Sequence, residues 1–296
     1  MKRLGVLFVL AVVVSGCGGS SPATVSVTTK SFPAPLAGAV VFSRELGQDA
    51  VGLAVKPQTG ALLVQASVLG RQGEGVKDLS VSFSADHSSE TAKPCGDGCY
   101  RAQVSAPAKP RAVTVEIGAT RWRVALPTTW PAPAATRLIA RAERVWRALD
   151  SLTFRERLAS GTGQAVESSW RAQAPDRIAY HVDGGYSAVI VGGSRWDRPP
   201  GANRWRKSPQ TSVTQPVPTW VSVTNAHVLG TTTVGGHPAW RVSFFDPGTP
   251  GWFTLLIDKR TYRTLEVDMI ATAHFMRDSY GDFNSAEPIV PPVSGS

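Results

Sequence analysis

Short apolar runs alternate with turn residues through the first half of the chain. They fall at 51–55, 61–69, 79–83, 100–104, 112–117 and 122–126, with Gly, Pro, Asp, Asn or Ser between most of them. Runs this short at close spacing predict strands, and six of them within some 80 residues predict an immunoglobulin-like antiparallel β-sandwich over 48–127. A Pro-Thr-Thr-Trp-Pro-Ala-Pro stretch then interrupts the pattern and places a linker at 128–133. In 134–150 the period changes. Leu138, Ile139, Ala142, Val145, Trp146 and Leu149 recur at helical spacing, while Arg137, Arg141, Arg144 and Arg147 occupy the other side with Glu143 as the acid among them. Strand-like alternation returns at 152–158, 177–182, 186–191, 239–245, 252–257 and 263–272. The expected architecture is mainly β in two domains. An immunoglobulin-like sandwich is followed over 134–292 by an α+β incomplete β-barrel wrapped around one helix.

The first residues carry a different signal. Lys2 and Arg3 precede an apolar run from Leu4 to Val14, which closes on Val14-Ser15-Gly16-Cys17. That run is too short for a lasting membrane helix, and small residues before a cysteine fit the cleavage site of a lipoprotein signal peptide over 1–16. The expectation is a lipid-modified Cys17, acylated by palmitate-type chains, that anchors the chain to a bacterial membrane from outside the cytoplasm. More than one acyl chain makes such anchoring stable, at about 0.8 kcal/mol per buried methylene. The stretch to residue 47 is rich in Ser, Thr, Gly, Ala and Pro and reads as a flexible spacer.

Charge and chemistry narrow the function. The net charge is +9, or +7 without Lys2 and Arg3, which suits an anionic lipid surface; no basic cluster is laid out as a nucleic-acid module. With Cys17 lipidated, Cys95 and Cys99 remain, spaced by Gly-Asp-Gly. An oxidising compartment favours a disulfide between them, and the competing reading is a Cu(I) thiolate pair assisted by His87. No nucleophile elbow, zinc-protease helix, phosphate loop or dinucleotide fingerprint is present, and the five histidines are scattered. No enzyme, cofactor or metal site is therefore expected. Nine tryptophans are a generous supply. Trp196 and Trp205 flank a Pro-Pro-Gly-Ala-Asn turn among Arg195, Arg198, Arg204 and Arg206. This reads as a rim hairpin whose rings and guanidinium groups suit lipid headgroups.

Region 134–292 resembles the LolA/LolB and LppX/LprG-like lipoprotein-carrier fold. The residues that carry the resemblance are the opening helix, Ala174-Pro175-Asp176-Arg177-Ile178, Val189-Ile190-Val191-Gly192-Gly193 with Trp196 after it, Ile257-Asp258-Lys259, and the closing Tyr280-Gly281-Asp282-Phe283-Asn284. The resemblance implies an incomplete barrel that carries acyl chains. Leu138, Ile139, Ala142, Val145, Trp146 and Leu149 are then the cavity candidates, and Arg137, Arg141, Arg144, Trp196, Arg198 and Trp205 the headgroup candidates. The first region resembles, through 94–102 and 122–127, the copper-associated sandwiches of the CopC/YtkA type; copper ligands of that type are not evident in it. The expected function is that of an envelope lipoprotein that binds lipid without catalysis. The alternatives are a scaffold or sensor lipoprotein of envelope stress or copper homeostasis that binds a protein partner, and direct copper delivery through Cys95, Cys99 and His87.

Overall fold

The computed structural model describes residues 33–46, 49–70, 73–159, 165–271 and 274–293. The lipid-anchor reading on Cys17 lies outside the described residues. In chain order the first strands are β1 (Val40–Leu46), β2 (Asp49–Gln58), β3 (Ala61–Leu69), β4 (Val81–Ala85), β5 (Ser88–Thr91), β6 (Lys93–Gly96), β7 (Cys99–Ser105), β8 (Ala112–Ile117) and β9 (Thr120–Ala125). Helix α1 (Thr136–Arg147) follows. After it come β10 (Ser151–Ala159), β11 (Val166–Gln173), β12 (Arg177–Val182), β13 (Ser187–Val191), β14 (Ser194–Arg198) and β15 (Arg206–Pro209). The last five are β16 (Thr224–Val234), β17 (His237–Asp246), β18 (Gly251–Asp258), β19 (Thr264–Ala271) and β20 (His274–Gly281).

Strands β1-β2-β3-β7-β6 form one antiparallel sheet and β5-β4-β8-β9 a second. Val51, Leu53 and Val64 of one meet Phe83, Val115 and Trp122 of the other in a common core. The tip that holds Cys95 and Cys99 is closed by a disulfide between them. Gly98 at this tip has φ +68°, and a Cβ there would sit 2.4 Å from the Val68 carbonyl oxygen. Only a glycine allows that close approach without strain.

The remaining eleven strands make one antiparallel sheet in the order β15-β14-β13-β12-β11-β10-β20-β19-β18-β17-β16. It is two meanders joined where β10 pairs with β20. Successive side chains of a strand point to opposite faces, so the registers sort the residues. One face takes Phe244, Phe253, Val267, Met276 and Leu152, which pack on Ile139, Ala142 and Trp146 of α1. The other takes Phe245, Trp252, Ile270, Phe275 and Ala159, which pack on Ala39, Val41, Ala50 and Ala54 of the first sheet. Gly52 lies flat on Trp252, where an added Cβ would be 2.4 Å from the indole Cε2. The first sheet is thus covered on both faces. This explains why β2 and β3 are buried almost continuously rather than at alternate positions.

Most of the predicted strands and the helix are present, with α1 shorter than 134–150. Three differences have physical causes. Residues 40–46, expected in the spacer, form β1, because Val40 and Phe42 reach the sandwich core while Val41 reaches the seam. Strands β11 and β16 were not anticipated. Their Ser- and Thr-rich sequences show no sustained apolar alternation, and they are held as strands by pairing with the strands next to them in sequence. The expected incomplete barrel is an open sheet whose edges β15 and β16 do not pair. Strand β15 is only four residues and ends in Pro209, which has no N–H to donate. The chain between the two edges instead runs past 174–176, where Gln215 N–H donates to the Pro175 carbonyl, and delivers Trp220 into the core beneath α1.

Candidate functional site

The apolar side of α1 is where the sequence placed a lipid cavity. Ile139, Ala142, Trp146 and Leu149 are buried there, and Leu138 and Val145 are half-buried. Trp146 stands edge-on to Trp220 at 5.8 Å and to Tyr280 at 4.7 Å between ring centroids. The space directly beneath the helix is therefore packed by side chains. The expected basic face is exposed: Arg137, Arg141 and Arg144 all reach solvent, Arg141 lies 3.6 Å over the Tyr262 ring, and Arg147 pairs with Glu143 at 2.8 Å.

From Trp146 a row of aromatic rings runs outward over the helix-bearing face of the sheet. Tyr280, Phe154, Trp170 and Tyr180 lie on four adjacent strands in direct register. Their rings follow one another at 5.3, 5.4 and 4.2 Å, and Tyr186 continues the row at 6.1 Å. A polar network closes the far end. Arg195 donates to the hydroxyls of Tyr180 (2.8 Å) and Tyr186 (3.1 Å) and to Asp197 (2.7 Å), and Tyr186 donates to the same Asp197 oxygen at 2.6 Å. Burial and the Asp197 carboxylate together push the Tyr186 hydroxyl up to about 12.

Beside this row sit two carboxyl groups that the sequence did not single out. Glu156 and Asp278 are cross-strand partners on β10 and β20. Ser168 and the Trp170 indole donate to Glu156 at 3.0 Å each, and Tyr280 donates to Asp278 at 2.5 Å. Burial raises Glu156 above the ordinary carboxylate value. Burial first, then the nearby negative charges of Glu156 and Asp268, push Asp278 up to about 8, so that it is neutral at pH 7. Its Oδ1 has no hydrogen-bond partner among the described residues.

A groove of about 610 Å³ lies on the opposite face, beside the area covered by the first sheet. Arg198 and Trp205 line it, with the guanidinium 4.9 Å over the indole, so the predicted β14–β15 hairpin contributes these two residues. Trp196 does not join them: it is 6% exposed, with Lys207 over its ring at 5.2 Å. His87, the third member of the copper alternative, borders a shallow dent with Ser105 and Ala106 at the far end of β7 from Cys99. Six residues of extended strand separate the two by roughly 20 Å. The copper trio is not assembled, and the two sulfurs are joined to each other.

No family model matches the chain, and no curated protein matches it by sequence. Among solved structures the chain is similar to the lipoprotein LppX of Mycobacterium tuberculosis over 52% of this chain and 97% of that one, at 11% identity and a TM-score of 0.39. It is similar to LprF from Mycobacterium bovis over 55% of this chain and 100% of that one, at 10% identity and a TM-score of 0.41. A LolA superfamily protein from Nitrosomonas europaea aligns over 53% and 96% of the two chains, at 9% identity and a TM-score of 0.26. Each of these alignments spans about half of this chain. Among the described residues no helix is long and apolar enough to cross a membrane.

Proposed function

We propose that the chain is an envelope lipoprotein, anchored through Cys17, that binds lipid acyl chains on the helix-bearing face of its large sheet and performs no catalysis. The observation that carries this reading is the aromatic row from Trp146 through Tyr280, Phe154 and Trp170 to Tyr180. Tyr280, Phe154, Trp170 and Tyr180 lie on four strands at about 4.8 Å spacing, which gives a track of roughly 15 Å. Phe154, Trp170 and Tyr280 are each partly exposed along it. An acyl chain laid on this track gains about 25 cal/mol for each Å² of apolar surface removed from water. Helix α1 covers the inner end of the track, and its outward movement would admit the chain further. The exposed Arg137, Arg141 and Arg144 then face an anionic bilayer surface.

The test is native mass spectrometry of the full chain, purified without detergent, with lipid extraction of what accompanies it. Lipid at near one copy per protein, lost on Trp170→Ala and on Val145→Arg in variants that keep the wild-type melting profile, is the expected result. Unchanged lipid in both variants would sink the assignment. A second reading, a scaffold lipoprotein that binds a protein partner, is favoured by one observation: Trp146, Trp220, Phe244 and Phe253 already fill the interior beneath α1. An empty chain that ignores offered phospholipid would select it.

A further inference from the structure

The groove on the helix-free face has a composition that the aromatic row does not explain. Strand pairing places Ser279, Arg155, Ser169, His181, Ser187 and Arg198 side by side on β20, β10, β11, β12, β13 and β14. All six line the groove. Hydroxyl and basic side chains alternate strand by strand, which sets successive basic groups roughly 10 Å apart along the row. Ala179 and Gly281, in the neighbouring row, keep the floor low, and Trp205 walls the β14 end.

The charges are not cancelled internally. Among the described residues neither Arg155 nor Arg198 has a carboxylate at ion-pair distance. Arg198 reaches the Ser187 hydroxyl at 3.5 Å, and His181 Nδ1 is 3.0 Å from the same oxygen. Acidic groups stand at the margins. Glu287 pairs with Arg171 at 3.1 Å, Asp282 accepts from Thr153 at 2.9 Å, and one row further along Arg157 meets Glu45 and Glu167 at 3.3 and 3.9 Å. The row of six thus offers two guanidinium groups without a carboxylate partner among the described residues, an imidazole and three hydroxyls in a concave space. A guanidinium matches two oxygens of a phosphate in a planar, paired geometry, and serine hydroxyls satisfy the others.

We propose that this groove binds a phosphate-bearing ligand, with its anionic groups held by Arg155 and Arg198 and by the serine hydroxyls between them. The volume exceeds what an inorganic ion fills, and the Trp205 wall adds an apolar surface, so a phosphodiester that carries organic substituents fits better than phosphate itself. The site is on the other face from the acyl track and does not depend on it.

Isothermal titration calorimetry on the full chain separates the cases. The probes are a short-chain phosphatidylglycerol below its micelle concentration and inorganic phosphate. The expected result is saturable binding of the phosphatidylglycerol, at least tenfold tighter than phosphate. The double change Arg155→Gln with Arg198→Gln is expected to weaken it at least tenfold. Arg121→Gln with Arg123→Gln, the same loss of charge on exposed positions of β9, should leave it within twofold. Equal affinity for both probes, lost in the groove variant alone, supports the anion site with free phosphate as its source. No saturable binding overturns the proposal, as does a groove variant that binds like the wild type or a β9 variant that is weakened equally. The groove residues lie outside the acyl track, so either site can fail without the other.

Discussion

Asp278 shows how a single residue sets a property of the whole protein. Its carboxyl is buried on the helix-bearing side of β20 with Tyr280, Glu156 and Asp268 as its electrostatic neighbours, and it holds its proton to about pH 8 rather than the ordinary 3.8. Between those values the unfolded chain releases this proton and the folded chain keeps it. Stability therefore falls as pH rises from about 4 to 8 and levels off above the folded-state value. Asp278→Asn mimics the protonated form, so most of that dependence should vanish. Urea midpoints measured from pH 4 to 9 for both proteins check this, and a parallel decline in the variant would contradict it. Hydrophobic alternation in the sequence did not mark 274–281 as a strand, and which face Asp278 enters depends on the register of β20 against β10.

At the scale of elements, α1 is held by its apolar stripe rather than by its ends. No side chain caps its N-terminus, and its first turn carries no acid. Trp146, 4% exposed among Trp220, Phe244 and Tyr280, is its principal anchor. Trp146→Ala should cost about 3–5 kcal/mol as a cavity opens in a close-packed core. Arg144→Ala on the exposed face should stay within about 0.5 kcal/mol; chemical denaturation of both variants compares them directly. The Cys95–Cys99 link closes a loop with a sequence separation of 4. So short a loop removes little unfolded-state freedom. Replacing both cysteines by serine should lower stability by no more than about 2 kcal/mol, read from denaturation midpoints without reductant. A larger loss would point to a role beyond loop closure.

At the scale of the whole molecule, the seam between the first sheet and the large one decides how the chain unfolds. Phe245, Trp252, Ile270 and Phe275 bury one face of the large sheet against Ala39, Val41, Ala50 and Ala54. Small residues on one side and large rings on the other allow close contact, and Gly52 against Trp252 is its tightest point. The two halves should therefore melt in one calorimetric transition. Gly52→Val places a branched side chain where even a Cβ does not fit, at a cost of about 1–3 kcal/mol or more. Its expected signature is a lower melting temperature and a broadened or divided transition. An unaltered single peak would mean that the seam yields readily. The same seam covers the β17–β20 part of the helix-free face and the Ala159 end of β10 and leaves the rest of β10 through β14 open, and that is where the arginine and serine row lies.

Local chemistry is enough to determine the β-rich class, most strand positions, the amphipathic helix α1 with its basic and apolar sides, and the close pairing of Cys95 with Cys99. These follow from periodicity, turn residues and short chain separations, which act within about ten residues. The tertiary structure alone decided that 40–46 is a strand, that the sheet stays open, that Trp196 is buried while Trp205 lines a groove, and that Glu156 meets Asp278. It also decided that Arg155, His181 and Arg198 share one row while Phe154, Trp170 and Tyr180 share the opposite face. The sorting of side chains onto faces depends on the register between strands, and a shift by one residue would exchange the two faces. Which face is then buried is set by packing against segments distant in sequence, which no local pattern encodes.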